Sequence, residues 1–166
     1  MSIIDRFAEE EEIDYQYGKY LSFVIDKHYY AYPISDVREI IEVQEITEVP
    51  EFPPYSKGVI NLRGTIIPVI DVRLRFHKPE ADYNERTCIV VVSIDELLIG
   101  FIVDIVDEVV DIEDENLEPA PAITTDKRTR FIRNVGKVGK KIIMILDAKK
   151  MLDEDDMQTF TSAINE

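Results

Sequence analysis

Residues 58–76 read GVINLRGTIIPVIDVRLRF, and the spacing within this stretch indicates the fold class of the chain. Two apolar runs, 59–62 and 65–70, are separated only by Arg63 and Gly64. Because glycine readily takes a positive φ at the second central position of a two-residue turn, the pattern predicts a tight β-hairpin. Arg63 is therefore expected at the tip of a rigid turn, where a partner can reach it.

Outward from this hairpin, short runs rich in Val, Ile and Tyr recur with turn residues between them. This pattern favours a mainly β domain over βαβ units. Besides the hairpin, we expect strands at 19–25, 29–32, 40–43, 87–94, 97–112, 131–138 and 141–146. The run 87–94 is continuously apolar, which predicts a central strand covered on both faces. The run 97–112 also carries acids at helical spacing, and we interpret it as a strand broken or bulged near Asp107 and Glu108.

Helical signals are few. Asp71 can cap a short helix over 72–76, and Ser35 and Asp36 can cap a helical turn that carries Val37. Residues 153–166 are predicted to form a C-terminal helix, with acidic residues in its first turn and one apolar stripe. The body of the domain is then 18–152, and residues 1–17 are predicted to be a flexible acidic tail.

Size and charge narrow the classes of function. With 166 residues, 45% of them hydrophobic, the chain has room for one domain with a real core. The 34 acidic and 19 basic residues give a net charge of −15, which repels phosphate backbones and anionic lipids, so nucleic acid and membrane surfaces are poor partners. No apolar run reaches the roughly 18 residues of a membrane span. The start lacks a secretory signal, and the single cysteine, Cys88, fits a reducing, cytoplasmic location.

The basic residues collect in two islands, 63–78 and 127–141. Two interpretations are open. The islands can orient docking to other proteins, or they can neutralise acidic neighbours within the fold.

No set of side chains indicates catalysis or a metal site. His28 and His77 have no third ligand at a suitable spacing, and no glycine-rich phosphate loop follows a strand. Cys88 lies in an apolar run, as an inert core thiol does. We therefore expect no catalytic residue, no metal and no cofactor.

What the sequence does indicate is a recognition surface. Arg63 on its turn, a neighbouring carboxylate at Glu39 and apolar edge strands are the parts of a protein-docking module. The alternative is that Arg63 only pairs with an acid of its own chain, such as Asp71.

A family resemblance covers residues 19–152. In order along the chain, VREIIEV (37–43), GVINLRGTIIPVIDVRLRF (58–76), GFIVDIVDEV (100–109), LEPAP (117–121) and KKIIMILDAKKML (140–152) resemble CheW-type bacterial chemotaxis coupling proteins. The NLRG-x-I-x-P-V-I-D core is the most specific of these motifs. The resemblance implies two intertwined five-stranded SH3-like β-barrels with short helices and a C-terminal helix, and a non-enzymatic adaptor function.

The resemblance also implies the partners. The family bridges the cytoplasmic tip of methyl-accepting chemotaxis receptors to the regulatory domain of the histidine kinase CheA, which is itself built like CheW. Receptor contact uses the groove between the two barrels, and the matching positions here are Arg63, Val37, Glu39, Gly58, Asn61, Gly100, Val106 and Val109. Kinase contact uses strand edges of the first barrel, and the matching positions are Ile34, Lys57 and Ile66.

Two positions depart from the family pattern. The Tyr-Gly that usually closes the second strand reads Tyr30-Ala31, and a glycine pair near the last hairpin reads Asn134 and Gly136. Asparagine tolerates the left-handed backbone region nearly as well as glycine, so the second departure is mild.

Two other functions stay open from the sequence. One is a paralogous coupling protein that serves a kinase for pilus motility or another behaviour. The other is an enzyme that uses Asp107, Glu108 and Glu118 as acid and base, which requires a concave pocket that brings these carboxylates together.

Overall fold

The computed structural model describes residues 17–120 and 130–164, which form two β-sheets with short helices. The strands are β1 (Lys19–Ile25), β2 (His28–Pro33), β3 (Val37–Glu42), β4 (Ser56–Leu62), β5 (Thr65–Asp71), β6 (Cys88–Ile94), β7 (Leu97–Val103), β8 (Ile105–Asp111), β9 (Leu117–Pro119), β10 (Ile132–Val138) and β11 (Lys141–Leu146). The α-helices are α1 (Val72–Arg75) and α2 (Glu154–Ile164), and 3-10 turns lie at Ile34–Asp36, Asp114–Asn116 and Lys149–Met151.

The two sheets are intertwined along the chain. The five-stranded sheet, in the order β3-β6-β7-β5-β4, uses one continuous stretch of sequence. The six-stranded sheet, in the order β8-β1-β2-β11-β10-β9, combines strands from both sides of that stretch. The prediction of a mainly β fold with two intertwined SH3-like units is confirmed. Within the described ranges, however, the sheets hold six and five strands and their hydrogen-bonded orders do not close into barrels.

The largest hydrophobic cluster joins the two sheets. The ring centroid of Tyr32 in β2 lies 5.3 Å from that of Phe23 in β1 and 5.3 Å from that of Phe101 in β7. All three side chains are fully buried, and each contributes about 2 kcal/mol or more of hydrophobic free energy. Two smaller clusters lie within the individual sheets, one around Ile60 and Ile67 and the other around Val110, Ile143 and Ile145. The sheets are thus held in one fixed arrangement by a shared core.

Two-residue turns join four of the strand pairs, and one of these turns is Gly139-Lys140 between β10 and β11. The turns Asp26-Lys27, Arg63-Gly64 and Asp95-Glu96 have positive φ at both central residues. This backbone geometry matches the right-handed twist of the flanking strands, and it explains why the strands meet without longer loops. The predicted hairpin at Arg63-Gly64 is confirmed, and the turn between the first two strands is one residue shorter than the gap of 26–28 between the predicted strands.

One predicted helical turn is displaced. The turn expected to carry Val37 under a Ser35 or Asp36 cap is a single 3-10 turn over Ile34–Asp36, and it has no side-chain cap. Val37 already begins β3, because it pairs with Val92 of β6. The capping prediction is therefore wrong. Asp71 does cap α1, accepting a hydrogen bond from the Leu74 amide at 3.4 Å.

The run 97–112 contains both a break and a bulge. The break lies at Asp104, where the chain passes from β7 in one sheet to β8 in the other, and the sequence pattern did not locate it. The predicted bulge at Asp107 and Glu108 is confirmed by the shift in register between β1 and β8. The predicted central strand 87–94 is also confirmed, since β6 lies between β3 and β7.

The C-terminal segment packs on the five-stranded sheet side of the core. Helix α2 buries Phe160, whose ring meets that of Phe52 edge-on at 4.8 Å. The Tyr55 hydroxyl donates a hydrogen bond to the Asp156 carboxylate. Among the residues the structure describes, no helix has the length and apolar character of a membrane span. Apart from Tyr17, the predicted acidic tail lies outside the described residues, as do Pro121 and the start of the second basic island.

Candidate functional site

The hairpin tip between β4 and β5 is built as a stiff turn. Arg63 and Gly64 have φ values of 51° and 88°, and the Asn61 side-chain oxygen accepts a hydrogen bond from the Gly64 amide at 2.8 Å. Asn61 is a predicted site residue, and this bond assigns it a role in shaping the turn. The turn fixes the direction in which the Arg63 side chain leaves the backbone.

The Arg63 guanidinium combines an ion pair with high exposure. It contacts the Glu39 carboxylate, yet 69% of the Arg63 side chain is exposed against 18% for Glu39. The alternative that Arg63 pairs with an acid of its own chain is thus met in part, but by Glu39 and not by Asp71, which is buried and accepts a hydrogen bond from the Tyr83 hydroxyl at 2.7 Å. Arg63 is thus oriented by its own chain and still open to solvent over most of its surface.

This ion pair joins the two edges of the five-stranded sheet. Glu39 belongs to β3 at one edge, and Arg63 lies in the turn between β4 at the other edge and β5. The contact requires the sheet to curl until its edges approach. Apolar side chains from both edges support this, since Ile41 and Leu62 pack against the same buried cluster.

Gly58 and Gly100, two further predicted positions, act through their backbones. Gly58 has a φ of 129°, and a Cβ there would lie 2.0 Å from the Thr47 carbonyl oxygen. Thr47 exchanges two backbone hydrogen bonds of 2.9 Å with Val59, which brings its loop against β4. A Cβ on Gly100 would lie 2.7 Å from the Ile89 side chain. Both glycines are buried and permit close approach of neighbouring segments.

The remaining predicted receptor positions differ in how far their side chains are buried. Val37 is 2% exposed and belongs to the shared core. Val106 and Val109 in β8 are half-buried and pack at the margin of that core. The structure therefore places Arg63, Asn61, Val106 and Val109 where a partner can touch them, and Val37 beneath the surface.

The predicted kinase positions lie near one edge of the five-stranded sheet, except Ile34. Ile66 is 37% exposed, beside the Arg63 turn. Lys57 in edge strand β4 pairs with Glu80, and its Nζ lies 5.8 Å from the ring centre of Tyr83. Ile34 is 3% exposed and supports the fold from inside.

Two residues with contacts to the proposed binding residues or their strands were not singled out from the sequence. Tyr83, 36% exposed, is the aromatic neighbour of Lys57, and Lys141 contacts the bulge of β8. An isolated tyrosine in a polar loop was the only sequence signal for Tyr83. Lys141 was one member of a basic island, without a feature that distinguished it.

The described part of the second basic island pairs with acids of the chain itself. Lys137 lies 2.9 Å from Glu118, and Arg133 Nη2 lies 3.6 Å from Asp147. These contacts favour the interpretation that this island offsets acidic neighbours. Such exposed pairs contribute under about 1 kcal/mol each.

The structure does not assemble the acid and base set of the enzyme alternative. Asp107 and Glu108 lie in β8 and pair with Lys141, whereas Glu118 lies in β9 and pairs with Lys137. Burial raises the pKa of the Cys88 thiol, whereas an activated nucleophile needs a lowered pKa. Within 17–120 and 130–164, no three His, Cys, Asp or Glu side chains are grouped so that they could hold a metal ion.

Comparison with known proteins identifies the family. Residues 19–156 match the family model of the CheW-like domain. The chain is 30% identical over 139 residues to chemotaxis protein CheW of Klebsiella aerogenes, covering 84% of each chain. It is 32% identical over 141 residues to chemotaxis protein CheW of Bacillus subtilis, covering 85% of this chain and 90% of that protein.

A solved structure shows the same fold. The crystal structure of scaffolding protein TtCheW from Thermoanaerobacter tengcongensis matches with a TM-score of 0.77 and 34% sequence identity, over 84% of this chain and 94% of that one. The agreement of sequence, family model and three-dimensional fold covers both sheets. The chain therefore belongs to the family of CheW-like chemotaxis scaffolding proteins.

Proposed function

We propose that this chain is a non-enzymatic adaptor that couples methyl-accepting chemotaxis receptors to the histidine kinase CheA. The scaffolding character of the matched relative and the family membership support this proposal. The adaptor acts in the cytoplasm and is recruited to receptor arrays at the membrane. It binds the cytoplasmic tip of the receptor on one surface and the regulatory domain of the kinase on another.

The observation that carries the proposal is the exposed guanidinium of Arg63 on its stiff turn. An arginine that is oriented before binding loses little side-chain entropy when a partner engages it. Glu39 provides that orientation, while most of the Arg63 surface stays accessible. Such a group is typical of an interaction hot spot.

The receptor surface is proposed to combine this charge with apolar contacts. Arg63 and Asn61 contribute polar groups, and Val106 and Val109 contribute half-buried apolar surface. Val37, Gly58 and Gly100 contribute through the positions of the strands that carry the contact residues.

The kinase surface is proposed at the edge formed by β4 and β5. Ile66 provides an exposed apolar contact, and Lys57 lies in the edge strand that a second sheet can approach. Ile34 acts from below by fixing the start of β3. The two surfaces use different side chains but adjoin each other, since Asn61 and Ile66 lie opposite one another in the β4–β5 hairpin.

Three-component sedimentation tests the proposal. Receptor signalling fragments in membranes or templated arrays are mixed with CheA, with and without this chain. The chain is expected to bring the kinase into the receptor pellet, and Arg63→Glu is expected to lower the amount of sedimented chain and kinase. A pellet free of kinase despite the wild-type chain would refute the proposal. Retention of a pilus-system kinase and receptor instead of the chemotaxis pair would identify the paralogous function.

A further inference from the structure

Strand β8 is an edge strand with an unusual distribution of its side chains. Among the described strands, it pairs only with β1 of the six-stranded sheet. Leu21 lies opposite Val109 and Phe23 lies opposite Val106, so two residues of β8, Asp107 and Glu108, face the single residue Ser22 of β1. This is a β-bulge.

The bulge decides which face of the sheet the two valines occupy. Residues three apart in a regular strand point to opposite faces, because side chains alternate. The extra residue restores the alternation, and Val106 and Val109 therefore lie on the same face as Leu21 and Phe23, against the shared core. Without the bulge, one of the two would turn to the other face.

A polar network holds the bulge. The Ser22 hydroxyl donates to the Asp107 carboxylate at 3.0 Å, and its oxygen lies 3.4 Å from the Glu108 amide that donates to it. Lys141 Nζ lies 3.2 Å from the Asp107 carboxylate and 3.6 Å from that of Glu108. The same ammonium group lies 4.7 Å from the ring centre of Tyr29. One lysine of β11 thus contacts the carboxylates of both bulged residues of β8.

The lysine and the valines belong to opposite faces of the sheet. Lys141 alternates with Ile142 and shares the face of Ile143 and Ile145, which form the small cluster on the far side of the shared core. Tyr29 also packs against that small cluster. The lysine therefore acts on Val106 and Val109 through the backbone of β8.

We propose that Lys141 is a positioning residue for the receptor-binding surface, which holds the bulge of β8 so that Val106 and Val109 present one joint apolar contact. The inference rests on the proposed receptor binding and adds a residue outside the surface itself. Because an exposed ion pair has a modest effect, the change in affinity is moderate.

The test compares Lys141→Met with Lys137→Met. Lys137 lies in the same hairpin and pairs with Glu118 instead of β8, so the control removes the same charge without touching the bulge. Binding of a receptor signalling fragment and of the CheA regulatory domain is measured for both variants and the wild type. Lys141→Met is expected to raise the receptor Kd about fivefold, the upper range for one exposed ion pair. Its kinase Kd is expected to be unchanged, and Lys141→Arg is expected to restore receptor binding.

The hydrogen-exchange rates of backbone amides in β8 report on the bulge itself, and the loss of a positive charge elsewhere does not change them. Amides of Val106, Glu108 and Val109 are expected to exchange up to about fivefold faster in Lys141→Met and at an unchanged rate in Lys137→Met. Equal exchange and equal receptor affinity in Lys141→Met and wild type would overturn the positioning role while leaving the adaptor function intact. A wild-type chain that binds no receptor fragment would overturn both.

Discussion

Arg63 and Glu39 form an ion pair between the turn that follows one edge strand of the five-stranded sheet and the strand at the other edge. The pair therefore does two things. It helps to hold the curl of the sheet, and it orients a guanidinium that is 69% exposed. A binding charge that is fixed by the fold in this way needs no conformational change to be presented.

The close approach at Gly58 leads to a prediction about stability. Gly58→Ala places a Cβ 2.0 Å from the Thr47 carbonyl oxygen at a φ of 129°, so the loop or the strand must move. We expect the free energy of unfolding to fall by about 3 kcal/mol, measured by urea denaturation. Gly64→Ala is the matched control, because φ there is 88° but the added Cβ meets no atom within 4 Å. It should lose only about 1 kcal/mol, and equal losses would contradict the role of Thr47.

Arg75 leads to a prediction about the C-terminal helix. Its side chain is 5% exposed, its Nε donates to the Met151 carbonyl at 2.5 Å, and its guanidinium lies between the rings of Tyr55 and Phe131 at 4.5 and 4.6 Å. Arg75→Met keeps the volume but leaves the Met151 carbonyl without this donor. We expect a loss of about 2 kcal/mol and faster hydrogen exchange in α2.

The control for Arg75→Met is a substitution of Arg130, whose guanidinium also lies over the ring of Phe131. The exposed Arg130 lies 4.7 Å from the ring centre of Phe131 without the buried hydrogen bond. Arg130→Met should change the free energy of unfolding by less than about 0.5 kcal/mol. If the two variants unfolded alike, the anchoring of the C-terminal segment by Arg75 would be refuted.

Asp36 leads to a prediction about pH. Burial raises its pKa above the ordinary 3.8; the negative charge of Asp147 adds to this, while Arg133 and Arg38 oppose it. The folded state then binds more protons than the unfolded state, so stability falls as pH rises from 3.8 through the raised pKa. Asp36→Asn removes this fall. The difference in unfolding free energy between Asp36→Asn and the wild type should therefore grow with pH in this range and stay constant above it.

The pKa of Asp26 is shifted in the opposite direction from that of Asp36, so its effect on stability has the opposite pH dependence. A hydrogen bond from Lys78 lowers the pKa of Asp26, so the stability it contributes is present above the ordinary pKa of 3.8 and is lost as pH falls through the lowered value. Asp26→Asn should therefore be less stable than the wild type at neutral pH. Parallel pH profiles for the two variants would contradict both assignments.

Ile66 leads to a prediction about kinase binding. Ile66→Asp introduces a charge at an exposed apolar position beside the proposed kinase edge, and the Kd for the CheA regulatory domain should rise about tenfold by titration calorimetry. Ile142→Asp makes the same change at another exposed isoleucine, 59% exposed in β11 of the other sheet. Its kinase Kd should stay within about twofold of the wild type. Equal effects at both positions would place the kinase surface elsewhere.

Much of the fold could be predicted from local pattern. The alternation and length of apolar runs located most strands within one or two residues, and Arg63-Gly64 located the hairpin that presents the arginine. The break at Asp104 could not be found, because the passage from one sheet to the other depends on which strands pair, and no local residue type marks it. The same holds for the mistaken cap before Val37, where pairing with Val92 extended β3.

Site residues could be predicted from the sequence where their position depends on a local turn. Residues that act through contacts between distant strands could not be predicted as well. Arg63 followed from spacing alone. Glu39 was proposed as a neighbouring carboxylate, and the curl of the sheet makes it the partner of Arg63. The effect of Lys141 on β8 depends on strands separated by β1 and β2, a relation that sequence spacing does not contain.

The role of Arg63 in receptor binding is tested most directly by the affinity of a receptor signalling fragment for Arg63→Glu and for Lys27→Glu. Both substitutions reverse one exposed charge in a two-residue turn with positive φ, and each should cost under about 1 kcal/mol of stability. We expect Arg63→Glu to raise the receptor Kd by about tenfold or more and Lys27→Glu to leave it within about twofold. A folded Arg63→Glu variant that binds the receptor fragment as tightly as the wild type would contradict this role of Arg63.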